Sequence, residues 1–287
     1  AAMMQPVGLG PMHEAFPGRV IDVGIAEAEA VTSAAGMAYE GAHPVVALYA
    51  TFLNRGFDQL LMDVALHRAG VTFILDRAGI TGSDGASHNG VWDIAMCSLI
   101  PGLRLAAPRD EDTLREELRE AISVDDAPTV LRYRKGALPE PMPALRRVGD
   151  VDVLLDEEVA PCRARVLIVG TGACVPDAIT AARRLIDDGI SVTVVDPRWL
   201  VPISPDLASL ALGFDAVIAV EDGIVQGGFG WALRDSLFDA GIPVRCLGVP
   251  QVLPEHGDRS EMIKDFGYDA DGIEAAVRAQ VERLARC

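Results

Sequence analysis

The sequence predicts an α/β protein of two doubly wound domains, each built on a mainly parallel sheet. Three observations carry this. Short, β-branched apolar runs alternate with helical patterns along both halves of the chain, as strands do when crossover helices bury both faces. A proline-dense stretch, Ala137-Leu138-Pro139-Glu140-Pro141-Met142-Pro143, interrupts that pattern near the middle, and proline at this density blocks helix and ladder alike. The 287 residues, half of them hydrophobic, suffice for about two domains with their own cores. The expected division is residues 1–136, a linker over 137–161 with room for a short hairpin, and residues 162–287.

In the first half, Ile21-Asp22-Val23 reads as a short strand and Glu27 to Gly36 as a helix of small residues. Glu27 falls in its first turn, where exposed amides and the helix dipole favour a carboxylate. Strands follow at Val45 to Tyr49, Val71 to Leu75, Leu103 to Ala107 and Thr129 to Tyr133. Helices are expected from about Phe57 to Ala69 and from about Asp110 to Ser123, the second announced by Pro108-Arg109-Asp110-Glu111-Asp112. In the second half, the strand Arg165 to Val169 enters Gly170-Thr171-Gly172 and a helix to about Asp188. Strands at Ser191 to Asp196, Ala216 to Val220 and Val244 to Val249 precede a final helix from about Ala270 to Arg286. Gly170-x-Gly172 followed by Asp196 is a partial dinucleotide fingerprint. The third glycine is missing, where Cys174 and Val175 precede Pro176, so tight strand-to-helix packing is the expected role.

Composition narrows the partners. A formal net charge of −17 argues against nucleic acid, which needs a basic surface. It leaves room for a small phosphate held by a local cluster of Arg and Lys. No apolar run reaches the ~18 residues of a membrane span, and no secretory signal pattern is visible. The five cysteines, Cys97, Cys162, Cys174, Cys246 and Cys287, are scattered without metal-ligand spacing, which reads as reduced thiols in a cytoplasmic protein.

Chemistry concentrates in Asp76-Arg77-Ala78-Gly79-Ile80-Thr81-Gly82-Ser83-Asp84-Gly85-Ala86-Ser87-His88-Asn89-Gly90. This stretch follows a buried strand, and catalytic groups in open α/β sheets gather at strand carboxyl ends. Its glycines let backbone approach a ligand closely. The loop is suited to a small polar substrate.

Together with Asp22-Val23-Gly24-Ile25-Ala26-Glu27, this loop resembles the pyrimidine-binding domain of thiamine-diphosphate enzymes of the transketolase type. Within that group it is most similar to the 1-deoxy-D-xylulose-5-phosphate synthase family. The resemblance extends over Tyr49-Ala50-Thr51-Phe52-Leu53-Asn54-Arg55-Gly56, Asp84 to Asp93, Ile100-Pro101-Gly102-Leu103 and Leu131 to Gly136. It continues through Val220-Glu221-Asp222-Gly223, Gly227-Gly228-Phe229-Gly230 and Glu255-His256-Gly257-Asp258-Arg259. The Ile-Ala-Glu element is common to many thiamine enzymes. The Asp-Arg-Ala-Gly loop running into Asp-Gly-x-Ser-His-x-Gly is far more specific.

The resemblance implies thiamine diphosphate with Mg²⁺, and the joining of pyruvate, after loss of carbon dioxide, to D-glyceraldehyde 3-phosphate on the route to isoprenoids. It places Glu27 on the pyrimidine ring nitrogen and Phe52 on the ring face. It gives Arg77, Arg55, Tyr49 and Lys135 to acceptor binding, Asp84 to a sugar hydroxyl or to orienting its neighbours, and His88 to proton transfer at the acceptor carbonyl. It also implies a homodimer.

The chain departs from the family pattern in three places. Glu27 is followed by Ala28-Glu29 instead of Gln-His, and the expected Pro-Arg-Gly after Tyr133 reads Arg134-Lys135-Gly136. Lys135 keeps the charge there but not the bidentate fork, and the adjacent Arg134 is a candidate substitute. The Gly-Asp-Gly motif and its distant Asn, which hold Mg²⁺ and the diphosphate, are missing. The expectation is the carboxyl-terminal part of a longer enzyme or one subunit of a split one, with the diphosphate-binding half in the same or a separate chain. A subunit of a split transketolase, a 2-oxo acid dehydrogenase β subunit and a non-catalytic assembly or regulatory module stand as alternatives.

Overall fold

A computed structural model describes residues 1–137 and 139–286; Leu138, in the proline-dense stretch, and Cys287 lie outside the described residues. The described residues form two sheets. In the first, β1 (Val45–Tyr49), β2 (Thr72–Asp76), β3 (Arg104–Ala106) and β4 (Thr129–Tyr133) run parallel in the order β1-β2-β4-β3. The second contains the antiparallel hairpin β5 (Arg146–Val148) and β6 (Val151–Glu157), then β7 (Arg165–Gly170), β8 (Ser191–Asp196), β10 (Ala216–Ile224) and β11 (Val244–Val249). Its order is β11-β10-β7-β8-β6-β5, and the four strands β7, β8, β10 and β11 are mutually parallel. The hairpin falls at the end of the linker and docks antiparallel on β8.

The remaining strand, β9 (Trp199–Val201), does not stay with its neighbours in sequence. It pairs antiparallel with β3, placing Trp199 opposite Ala106 and Val201 opposite Leu105. The second half of the chain thereby completes the edge of the first sheet. A left-handed backbone at Arg198 (φ 59°) makes the bend, and the Ala107 N–H closes it on the Arg198 carbonyl. One apolar cluster runs through both sheets, joining Leu105 and Leu200 to Val153, Leu167 and Val217.

The helices are α1 (Gly10–Ala15), α2 (Glu27–Tyr39), α3 (Phe57–Gln59), α4 (Asp93–Cys97), α5 (Glu111–Ala121), α6 (Val175–Ile186), α7 (Pro205–Ala211), α8 (Phe229–Ser236), α9 (Arg259–Phe266) and α10 (Ala270–Leu284). The helix expected from Phe57 to Ala69 widens after α3 into π turns over Leu60–Ala65. It stops at Arg68, which is left-handed, because Gly70 must pass against the Asp125 backbone to start β2. Asp110 caps α5 as its sequence signal required, accepting the Thr113 N–H on one oxygen and the Met142 N–H on the other, which pins the linker to the helix. Ile21-Asp22-Val23 is not a strand. The Asp22 carboxylate accepts the Gly24 and Met4 N–H groups, and this local turn competes with extended backbone.

The partial glycine fingerprint packs. A Cβ on Gly170 would sit 3.3 Å from Ala178 Cβ, and one on Gly172 (φ +47°) would lie 2.9 Å from the Ala107 carbonyl of the first sheet. Asp196 is fully buried and taken by Arg109 at 2.9 Å. Arg109 also holds Asp152 at 2.8 Å and donates to the Met142 carbonyl. This guanidinium clamps linker, hairpin and β8 onto the start of α5. Arg109→Ala leaves the buried Asp196 without its cation, while Asp152 keeps Arg147 at 2.6 Å, and breaking such a buried pair costs about 3–5 kcal/mol. Urea denaturation of the variant should show that loss.

Candidate active site

The site is built on the carboxyl end of the first sheet. Glu27 opens α2 and is 3 % exposed. Small residues behind it, Ala30, Val31, Ala34 and Ala35, let α2 lie close on β1. A Cβ on Gly56 would meet Val31 Cγ2 at 2.9 Å and the Glu27 carbonyl at 3.4 Å. That close approach brings Arg55 to 3.7 Å from Glu27 Oε2. The other carboxylate oxygen, Oε1, is buried and meets no donor among the described residues. A buried polar atom without a partner costs about 1–3 kcal/mol, which a ligand's donor would offset. Glu29 is exposed, so the second carboxylate of the altered motif points away from Glu27.

From Glu27 a chain of contacts runs to the other candidates. The Arg55 guanidinium lies 4.8 Å from the centre of the Phe52 ring. Phe52 stacks on Tyr49 at 6.0 Å and meets the His88 imidazole edge-on at 5.5 Å. Arg77 covers Tyr49 at 4.1 Å and bonds Asp84 at 2.9 Å, while Lys135 reaches the other Asp84 oxygen at 2.5 Å. The structure therefore brings Glu27, Tyr49, Phe52, Arg55, Arg77, Asp84, His88 and Lys135 into one connected group. Arg134 is turned elsewhere. It lines an interdomain cavity of about 480 Å³ with Asp76, Tyr133 and Arg259, so Lys135 alone of the pair joins the cation cluster.

Backbone geometry aims these groups. Arg77 is left-handed (φ 61°), a conformation that costs a non-glycine residue of order 1–3 kcal/mol and is retained where surroundings impose it. Immediately beyond, Gly79 and Gly90 exchange backbone hydrogen bonds of 2.8 Å and close the loop. Thr51 Oγ1 donates to the Ser87 carbonyl, tying the returning arm of the loop, beyond the Gly82–Gly85 turn, to the aromatic stretch. His88 Nδ1 shares a 3.0 Å hydrogen bond with Ser87 Oγ.

Electrostatics follow the contacts. The Lys135 ammonium, against the smaller cost of burial, holds Asp84 below the usual carboxylate range, with Arg77 adding to it. Burial pushes the Tyr49 phenol up, only partly opposed by Arg77, so Tyr49 is a neutral donor at neutral pH. Burial also raises Asp76 despite Arg77 beside it at 3.8 Å.

Sequence reasoning missed the residues that hold the loop from behind. Asn89, fully buried, accepts from the Thr81 N–H and hydroxyl and the Gly82 N–H, and donates to the Pro254 carbonyl. Asp222 accepts the Ile80 N–H at 3.1 Å and the Tyr268 hydroxyl at 3.0 Å, and pairs with Arg259 at 2.7 Å. Arg132 bonds Asp93 at 2.6 Å and donates to the Asp222 carbonyl. Burial opposes the Asp222 charge, but Arg259 and Arg132 outweigh it and hold the carboxyl below its ordinary range. The signal was present in the Glu221-Asp222-Gly223 and Glu255 to Arg259 strings, whose distance in sequence hid their target.

Residues 1–141 match "Transketolase, pyrimidine binding domain" and residues 158–273 match "Transketolase, C-terminal domain". The chain belongs to the transketolase family. Within the family it is 52 % identical over 286 residues to 1-deoxy-D-xylulose-5-phosphate synthase 1 of Kitasatospora griseola, covering 99 % of this chain and 44 % of that relative. It is 53 % identical over 288 residues to the 1-deoxy-D-xylulose-5-phosphate synthase of Corynebacterium glutamicum (strain R), covering 99 % and 46 %. The chain thus spans less than half the length of these relatives. A solved structure titled "Split gene transketolase, inactive beta4 tetramer" superposes with a TM-score of 0.85 at 26 % identity, over 98 % of this chain and 91 % of that one. Among the described residues no cluster of three His, Cys, Asp or Glu side chains forms a metal site. No described helix is long and apolar enough to cross a membrane.

Asn89→Ala strips three donors and a carbonyl of their partner. It should cost ~1–3 kcal/mol, and hydrogen exchange at the Thr81 and Gly82 amides should accelerate more than exchange in β2.

Proposed function

We propose that this chain supplies the pyrimidine-binding and carboxyl-terminal domains of a thiamine-diphosphate-dependent transferase. The reaction joins pyruvate, with loss of carbon dioxide, to D-glyceraldehyde 3-phosphate and yields 1-deoxy-D-xylulose 5-phosphate. The observation that carries the reading is the unpartnered, buried Glu27 Oε1 beside Phe52 and the Arg77–Lys135 cation pair, in a chain about half identical to synthases of that name.

The residues fit the cofactor. Glu27 Oε1 would pair with a ring nitrogen of the pyrimidine, and Phe52 would pack against its face. Bound thiamine diphosphate supplies the carbanion chemistry of its thiazolium ring, which the protein positions and polarises. Arg77, Lys135 and Tyr49 would take the acceptor phosphate. His88, half-buried and edge-on to Phe52, would pass a proton to the acceptor oxygen as a general acid. Mg²⁺ and the diphosphate belong to a diphosphate-binding half, in the same or a separate chain, and this chain forms a homodimer in the cytoplasm. A second reading is the corresponding subunit of a split transketolase. It is favoured by the split-gene neighbour, whose chain this one covers almost completely.

Turnover of pyruvate with D-glyceraldehyde 3-phosphate, measured with a diphosphate-binding half supplied, separates the readings. Pyruvate consumption supports the synthase reading; its absence with the half supplied favours the split-transketolase reading. Under those conditions Glu27→Gln should nearly abolish turnover while the fold, read by circular dichroism, is kept. Near-normal turnover would remove Glu27 from the mechanism. Arg77→Ala should raise the acceptor KM by roughly ten- to a hundred-fold, the value of a charge-assisted hydrogen bond, and leave the pyruvate KM much less changed. Equal effects on both substrates would make Arg77 structural.

A further inference from the structure

Both cations assigned above to the acceptor phosphate are already engaged. Asp84 presents one oxygen to Arg77 Nη1 at 2.9 Å and the other to Lys135 Nζ at 2.5 Å. Asp76 stands 3.8 Å from Arg77 Nε on the far side. Two positive charges face two negative ones, and an arriving anion meets a formally neutral cluster. The carboxylate thus holds the place a phosphate would take.

Asp84 sits where it can be displaced without opening the core. It lies at the loop tip between Gly82 and Gly85, beside exposed Ser83, and Gly85 has no neighbour within 4 Å of a built Cβ. The base of the loop, by contrast, is fixed. A Cβ on Gly82 would lie 2.8 Å from the Arg259 nitrogen and the Gly257 carbonyl of the second domain. The tip residues Ser83 and Asp84 lie outside that close contact.

Resting on the acceptor reading above, we propose that Asp84 is an internal anion that competes for Arg77 and Lys135 and sets which anions the site accepts. A tethered carboxylate acts at the high effective concentration of an intramolecular partner. A free monocarboxylate, pyruvate included, brings the same single charge and two oxygens, and loses to it. A phosphate dianion brings twice the charge and three acceptor oxygens, so its Coulomb attraction to the two cations is about doubled at equal distance. Asp84 in this way keeps the carboxylate of the donor substrate off the acceptor's cations and admits the phosphate.

The test is calorimetric titration of the chain with inorganic phosphate and, separately, with acetate. It is done above the second pKa of phosphate and at low ionic strength, where screening is weak. Wild type should bind phosphate and not acetate. Asp84→Asn and Asp84→Ser should bind phosphate roughly ten-fold or more tightly and bind acetate measurably, so that discrimination between the two falls. Adding Arg77→Ala to either variant should remove the gain. Phosphate binding that weakens in both variants would make Asp84 an orienting group and overturn the proposal. So would acetate binding to wild type as strongly as to the variants, or a gain that survives Arg77→Ala. No cofactor or turnover enters, so this result stands or falls apart from the assignment of the reaction.

Discussion

The ion pair between Asp222 and Arg259 is the contact on which the site depends. Both groups come from the second domain, yet the Asp222 carboxylate accepts the Ile80 N–H and Arg259 donates to the Ile80 carbonyl, each a backbone group of the first domain's loop. The glycine at position 79 has no alternative there, since a Cβ would fall 2.0 Å from the Asp222 carboxylate. A loop rich in glycine has much conformational entropy to lose. The second domain offsets that loss by supplying fixed partners for its base, and leaves only the tip free.

The interface also explains why the two halves form one unit. Arg132 joins Asp93 to the Asp222 backbone, Arg109 joins α5 to the hairpin and β8, and β9 completes the first sheet. Buried ion pairs of this kind add little net stability over a well-packed apolar contact, but they are costly to break and specify geometry. The apolar cluster shared by both sheets provides the adhesion. The charged groups fix the register in which loop and second domain meet.

Within the site, aromatic and charged groups alternate. Arg55, Phe52, Tyr49 and Arg77 form a cation–aromatic–aromatic–cation row, with Glu27 at one end and Asp84 at the other. Each guanidinium lies against a ring face as well as a carboxylate, an arrangement that keeps its plane fixed while leaving donors for a ligand. The row places a carboxylate suited to a heterocycle at one end and cations suited to a phosphate at the other.

Much of this was legible in the sequence by itself. The alternation of apolar runs fixed eight strands and the doubly wound class, because burial on both faces leaves no other pattern. The Asp110 cap, the first-turn position of Glu27 and the strand-end placement of Arg77 are local effects, decided within a few residues. What only the tertiary structure decided are the long-range choices. Trp199 to Val201 carries no signal for leaving its own sheet; it does so because β3 has an open edge and Arg198 can turn left-handed. Ile21 to Val23 has strand composition, but Asp22 captures nearby backbone donors first. Asn89 looked like one more loop residue until Pro254, 165 positions away, accepted its amide. The spacing of Asp84 from Arg77 and Lys135 gave no sign that one carboxylate would bridge both cations. That pairing exists only once β2 and β4 lie side by side and bring residues 77 and 135 to the same strand ends.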